Sequence, residues 1–264
     1  MLSLKIHGVR GSMPATGKNF SKYGGNTTCF EIETVDSQIF IDAGTGFISA
    51  NIYEDKKKIY LLFTHLHHDH LQGLLFNPKL FTRKQEILVT SALMNGAYLK
   101  QYISEYFSPP FFPPSVFSDL NCFNFEDFDR FIVQKNPDLI VECISLKHPG
   151  GAFGYSFETG SGKVVIALDN EFDSDQEKDL ISFCGSADIL IWDGMYTSEE
   201  IGARRGWGHS TIEQAIYFTK KSNVKKTVIC HHSPMRNDAE IDKIGASLKD
   251  NNVEFGAEGM KFNL

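Results

Sequence analysis

Short β-branched and aromatic runs that alternate with helical patterns predict an α/β fold with mixed sheets for this 264-residue chain. Two further observations support it. Several strands precede the first long helical stretch, which a purely parallel, doubly wound sheet would not show. The strands of the second half each run into a loop carrying a polar group, where α/β proteins gather their chemistry. With 42% hydrophobic and 22% charged residues and no repeat, linker or low-complexity tract, residues 1–264 read as a single domain.

In chain order, the first strands are expected at residues 2–7, 28–35, 38–41 and 59–64. The Gly/Ser/Asn-rich stretch between the first two is long enough to be functional. Residues 106–131 hold eight of the 22 phenylalanines and four of the nine prolines without a clear period, and read as an inserted flap. Its rings can stack on a base, pack on the domain, or meet a second copy in a homodimer. Further strands are expected at 139–146, 163–168, 188–192 and 226–230, each opening a strand–loop–helix unit. Ser174-x-x-Glu177 and Ser210-x-x-Glu213 read as capping boxes. Ile212, Ala215, Ile216 and Thr219 share one helix face, and Ile241, Ile244, Gly245 and Leu248 recur at helical spacing.

Composition excludes several functions. Lys and Arg total 26 against 33 Asp and Glu, a net charge of −7, so no global basic field or strong nucleic-acid signature is present. A polyanionic ligand would need locally placed cations. No apolar run approaches the roughly 18 residues of a membrane span, and the start, MLSLKIHGVRGS, lacks the apolar stretch of a secretory signal. Five cysteines without a CxxC pair point to free thiols in a reducing cytoplasm.

The most informative feature is His65-Leu66-His67-His68-Asp69-His70, four of the nine histidines within six positions. Imidazole nitrogens and a carboxylate are ordinary ligands of a borderline-soft divalent ion, and alternation on a bent backbone can direct them to two ions. A tag-like surface tract is the bland alternative. Against it, the cluster directly follows the apolar run Tyr60-Leu61-Leu62-Phe63 in the chain's interior.

Thr64-His65-Leu66-His67-His68-Asp69-His70 resembles the T-H-x-H-x-D-H hallmark of the metallo-β-lactamase fold superfamily, and further matches follow in order along nearly the whole chain. Phe40-Ile41-Asp42-Ala43-Gly44-Thr45-Gly46 looks like the family's first motif, His148 like its next metal histidine, Asp169 like its bridging carboxylate and His231 like its last histidine. The resemblance implies a four-layer αββα sandwich with a dinuclear site at one edge of its sheets. It assigns His65, His67 and His148 to one ion, Asp69, His70 and His231 to the other, and Asp169 to both. The two divalent ions are expected to be zinc, with manganese or iron as alternatives. His231 and His232 compete for the last position. The resemblance favours His231, which follows its strand directly and lies 22 residues after His209. His7, His68 and His232 are left without a role.

Trp207-Gly208-His209-Ser210-Thr211 resembles the His-Ser-Thr box of ribonuclease Z and related phosphodiesterases, where the histidine faces the scissile phosphate. A third imidazole there can protonate a leaving alkoxide, a step worth about 10²–10⁴-fold. In this branch the carboxylate at Asp69 would serve as both ligand and general base. The loops Gly8-Val9-Arg10-Gly11-Ser12 and Tyr23-Gly24-Gly25-Asn26-Thr27-Thr28 also look like the phosphodiesterase side. Asn26, Ser210 and Arg236 are candidate substrate contacts, and Arg204 and Arg205 are local cations that can meet phosphate. The long basic arm with which ribonuclease Z grips tRNA has no counterpart. The expectation is a dinuclear phosphodiesterase acting on a small or cyclic-nucleotide-like substrate. The alternatives are a ribonuclease Z-like nuclease, a hydrolase of a lactone, thioester or β-lactam, and a non-catalytic ligand sensor.

Overall fold

The computed structural model describes residues 1–53, 58–82, 85–113, 122–134 and 138–248, together with 252–264. Two mixed sheets form its centre. The first contains β1 (Leu2–Gly8), β2 (Cys29–Thr34), β3 (Ser37–Ile41), β4 (Lys58–Phe63), β5 (Ile87–Ser91), β6 (Phe123–Phe125) and β13 (Lys261–Asn263), in the order β13-β1-β2-β3-β4-β5-β6. The second contains β7 (Ile140–Leu146), β8 (Ala152–Thr159), β9 (Gly162–Ala167), β10 (Ile189–Asp193), β11 (Lys226–Cys230) and β12 (Val253–Phe255), in the order β12-β11-β10-β9-β8-β7. β3 to β6 run parallel, as do β9 to β12, whereas β13-β1-β2-β3 and β7-β8-β9 are antiparallel.

The period of two along these strands builds the layers. Ile39, Ile41, Tyr60 and Leu62 of the first sheet face Val164, Ile166, Ile189 and Ile191 of the second in one buried cluster. The alternate residues of the first sheet, Phe40, Leu61 and Phe63, point outward to a cluster with Leu71 of the short helix α1 (His68–Leu71) and with Leu99 and Ile103 of α2 (Gly96–Tyr106). On the far side Val165, Leu190 and Trp192 pack against Leu180 of α4 (Glu177–Cys184), Phe218 of α5 (Ile212–Ser222) and Ile241 of α6 (Asp238–Ser247). Three apolar interfaces between four layers make the αββα sandwich. No helix among the described residues is long and apolar enough to cross a membrane.

Several local expectations need correction. Residues 139–146 do not open a strand–loop–helix unit: β7 turns back into β8 as an antiparallel hairpin. The first capping box fails because the Asp173 carboxylate already accepts the N–H groups of Asp175 and Gln176. Helix α4 then starts behind Gln176 without a side-chain cap. The second lies one residue later, with Thr211 and Gln214 forming the reciprocal bonds. Ser210 is drawn elsewhere, its hydroxyl donating to the Asn170 carbonyl and accepting the Phe172 N–H. The flap is in large part fold: α2 ends at Tyr106, β6 joins the first sheet, and α3 (Phe128–Gln134) buries Phe131 against Tyr60. Residues 114–121 of that stretch lie outside the described residues.

Candidate metal centre

Both sheets end their parallel strands at the same edge. β3 runs into Asp42 and β4 into the histidine cluster; β7 leads to His148, β9 to Asp169, β10 ends in Asp193 and β11 runs into His231. Asp42, Asp169 and His231 adopt left-handed backbone conformations, with φ of 62°, 56° and 58°, and Ser12 opposite them has φ 63°. Such strain in non-glycine residues costs about 1–3 kcal/mol each and persists where the surroundings dictate it. Here it bends each strand end so that its side chain turns into the cleft.

Two triads converge there. Donor atoms of His65, His67 and His148 lie within 4.8 Å of one another, as do those of Asp69, His70 and His231. Asp169 sits between them: Oδ1 is 3.2 Å from His231 Nε2 and 4.0 Å from His148 Nε2, and Oδ2 is 3.2 Å from His70 Nε2. His65 Nε2, His70 Nε2 and Asp169 Oδ2 are buried without a hydrogen-bond partner. Such orphaned atoms are costly in a protein interior unless something else satisfies them. Lone pairs converging without protons between them fit divalent cations.

The charges agree with that fit. Burial opposes ionisation of His231, yet Asp169 and Asp69 raise its pKa to about 9. His70 is likewise held well above the ordinary imidazole value by Asp69, Asp169 and Asp42, against the effect of burial. Asp169 is pulled well below the usual carboxylate range by His231 and His70 despite its burial. His65, with burial and His70 both acting on it, is pushed well below the ordinary imidazole value. The carboxylates that raise these two imidazoles, His70 and His231, would balance the charge of bound divalent ions.

Supporting contacts fix the ring orientations. His70 Nδ1 donates to Asp42 Oδ2 at 2.8 Å, and His148 Nδ1 donates to the Gly208 carbonyl at 2.8 Å, leaving both Nε2 atoms for an ion. Asp69 Oδ2 accepts the backbone N–H of Ser12 at 2.7 Å. His209, itself buried, donates from Nδ1 to Asp193 Oδ2 at 2.8 Å, and its ring stacks on His231 at 5.0 Å between centroids.

Asp42, within the family's first motif, and Asp193 have no role that their local sequence reveals. Each follows an apolar strand as a single acid, and only the neighbouring strand end shows which imidazole it orients. His232 turns away from the cluster to the Gly256 carbonyl and the Phe255 ring, leaving His231 in the centre. His7 is paired with the buried Glu31 carboxylate at 2.7 Å. The candidate substrate contacts fare unequally. Ser210 is buried with its hydroxyl used internally, so it is not offered to a ligand. The Asn26 side chain is bonded to Glu258. Arg236 lines a cavity at the centre's edge, bonded to the Met195 carbonyl and the Glu200 carboxylate.

The sequence profile of the beta-lactamase superfamily domain matches residues 37–232, which include every residue of the two triads. The chain belongs to the β-lactamase superfamily. A ribonuclease Z from Streptococcus uberis is 23% identical over an alignment of 304 residues that covers 95% of this chain and 96% of that one. A ribonuclease Z from Picrophilus torridus is 29% identical over 86 residues, and the match spans only 28% of that relative's length. Among solved structures, the metallo-β-lactamase fold protein YhfI from Bacillus subtilis superposes with a TM-score of 0.71 at 16% identity, covering 99% of this chain and 98% of the other. A diphosphatase from the PhnP family superposes with a TM-score of 0.68 at 13% identity, covering 100% and 98%. As a member of this superfamily the chain is a divalent-metal-dependent hydrolase of the metallo-β-lactamase fold.

Proposed function

We propose that this hydrolase is a phosphodiesterase that holds two divalent ions, zinc foremost, and cleaves a small or nucleotide-like phosphodiester. His209 carries the reading. It is a third imidazole beside the two triads, its Nδ1 is committed to Asp193, and its Nε2 is left free to serve a substrate. Ions bound by the triads would acidify a water molecule and neutralise charge on phosphoryl oxygens. Asp69, fixed by the Ser12 N–H and lying 3.2 Å from His231, is placed to ligate and to take the proton of the attacking water. His209 then delivers a proton to the departing ester oxygen. Ring opening of a lactone or β-lactam would draw on the same ions and the same proton donor, so the substrate panel decides between the two.

A net charge of −7 favours a small substrate over a folded RNA, although the relatives bear the name ribonuclease Z. The buried free thiols of Cys29, Cys122, Cys184 and Cys230 support a cytoplasmic setting. The test is a panel containing bis-(p-nitrophenyl) phosphate, cyclic nucleotides, a precursor tRNA, a lactone and a thioester, with the ion content of the protein measured. Turnover of the small diesters is expected. Release of a tRNA 3′ trailer alone would move the assignment to RNA processing, and turnover of the lactone or thioester alone would overturn it. If the fully loaded protein left every compound intact, the site would belong to a ligand sensor.

A further inference from the structure

A cavity of about 720 Å³ opens beside the metal centre. Ser12, which bonds Asp69, stands at its inner end with Tyr196, whose ring meets the His209 imidazole edge-on at 5.9 Å. Trp207 and Met235 form outer walls and are 61% and 82% exposed. Exposed tryptophan is expensive in apolar surface left to water, and no aromatic ring packs on this one among the described residues.

Its loop is nonetheless held firmly. The Glu171 carboxylate accepts the N–H groups of both flanking glycines, Gly206 at 2.7 Å and Gly208 at 3.1 Å. Those glycines have φ of 84° and 86°, a region that other residues rarely adopt. A Cβ on Gly208 would lie 2.2 Å from His148 Nδ1, so the loop is pressed against a residue of the first triad. Tryptophan on a preorganised loop loses little entropy when it binds a flat partner. Beside it the Arg204 guanidinium lies over the Tyr196 ring at 5.1 Å, and among the described residues only its Nη1 has a hydrogen bond, to the Glu200 carbonyl. Its remaining donors can meet the acceptor atoms of a heteroaromatic ring.

We infer that this cavity is the specificity subsite for one ester arm of the substrate and takes a nucleobase, stacked on Trp207. The inference rests on the phosphodiesterase reading for its link to turnover, and on the cavity alone for binding. Two diesters with the same leaving group separate the effects: thymidine 5′-(p-nitrophenyl phosphate) and methyl p-nitrophenyl phosphate. A stacked base is worth about 1–3 kcal/mol by alanine substitution, equivalent to about 5- to 150-fold. Trp207→Ala should lower the ratio of kcat/KM for the thymidine ester over the methyl ester by that factor, and Trp207→Phe should keep most of it. Ion content, measured for each variant, controls for damage to His148.

Binding is read separately by tryptophan fluorescence during titration with thymidine 5′-monophosphate. The wild-type protein should be quenched, and Trp207→Phe, which retains the buried Trp192, should not. An unchanged ratio together with quenching that survives in Trp207→Phe, or with none in the wild type, overturns the subsite even if both esters are hydrolysed. Trp207-dependent quenching in a protein that hydrolyses neither ester upholds the subsite and removes the phosphodiesterase reading.

Discussion

Replacing His209 should cost turnover in proportion to how much the leaving group needs a proton. The imidazole is fixed on three sides: Nδ1 bonds Asp193 at 2.8 Å, one face stacks on His231 at 5.0 Å, and the His148 ring lies at 5.3 Å. Only Nε2 is left to deliver a proton. A positioned general acid is worth about 10²–10⁴-fold, which at 1.36 kcal/mol per factor of ten is about 3–5 kcal/mol of barrier. An alkoxide needs that proton to leave, whereas p-nitrophenolate departs without it. His209→Ala should therefore reduce kcat on a cyclic nucleotide by about 10²–10⁴-fold and on bis-(p-nitrophenyl) phosphate by less than about tenfold. The alanine variant also takes the imidazole partner from the buried Asp193 carboxylate, leaving it the Met195 and Asn170 N–H groups, a loss costing roughly 1–3 kcal/mol of stability. His209→Gln, which can still donate to Asp193, controls for this. Steady-state kinetics on both substrates, with ion content measured in parallel, is the assay. Equal losses on the two substrates, or losses that follow ion content, would remove His209 as the acid.

Three other outcomes are expected. Gly208→Ala should displace His148, because the new Cβ would lie 2.2 Å from Nδ1; ion affinity, measured by chelator competition, should fall by about 10–100-fold, as for lost support of a metal histidine. Removing divalent ions should abolish turnover and destabilise the fold by about 4 kcal/mol relative to protein in ion at a thousand times its dissociation constant, read as a lower Tm that returns on adding ion back. Glu31 is the pH probe. Burial raises its pKa, but its bonds to His7 and Gln38 outweigh this and hold it below the ordinary value. It therefore stabilises the fold above the unfolded pKa of about 4.3, and this is lost as pH falls through the folded value. Glu31→Gln should be less stable than wild type by about 1–3 kcal/mol at pH 7, and the gap in urea unfolding should narrow at pH 3.5. A gap constant with pH would deny the carboxylate its role.

How much of this was legible in sequence depended on whether the information was local. Strand segments such as residues 164–167 and 228–230, buried on both faces, show as continuous apolar runs, and strand ends mark His148, Asp169 and His231 one at a time. Pairing partners are not local. The β7–β8 hairpin was missed because its strand 152–159 breaks the apolar pattern with Gly154 and Ser156, both satisfied by neighbouring strands. The caps shifted because Asp173 and Ser210 have side chains that bond equally well to other backbone groups nearby, a competition decided by tertiary contacts. Asp42 and Asp193 could be seen as polar residues at strand ends. Their function as orienting carboxylates depends on rings 28 and 16 residues away.

The division of the triads between the sheets has a mechanical consequence. His65, His67, Asp69 and His70 leave the first sheet after β4, whereas His148, Asp169 and His231 leave the second. Each triad thus takes two residues from the first sheet and one from the second, with Asp169 of the second sheet between them. Neither sheet holds a complete triad, so the donor spacing is set by the apolar layer of Ile41, Leu62, Ile166 and Ile191 that separates the sheets. A close-packed core resists compression and keeps this spacing constant. Bound ions would in turn bridge the sheets, which is why their removal should register in global unfolding and not only in turnover. The loop with Trp207 is attached to the same framework through Gly208 and His148. On the proposed phosphodiesterase reading, recognition of one ester arm and placement of the ions would share a single rigid support, and the arm's position relative to the scissile phosphorus would be fixed before any substrate arrives.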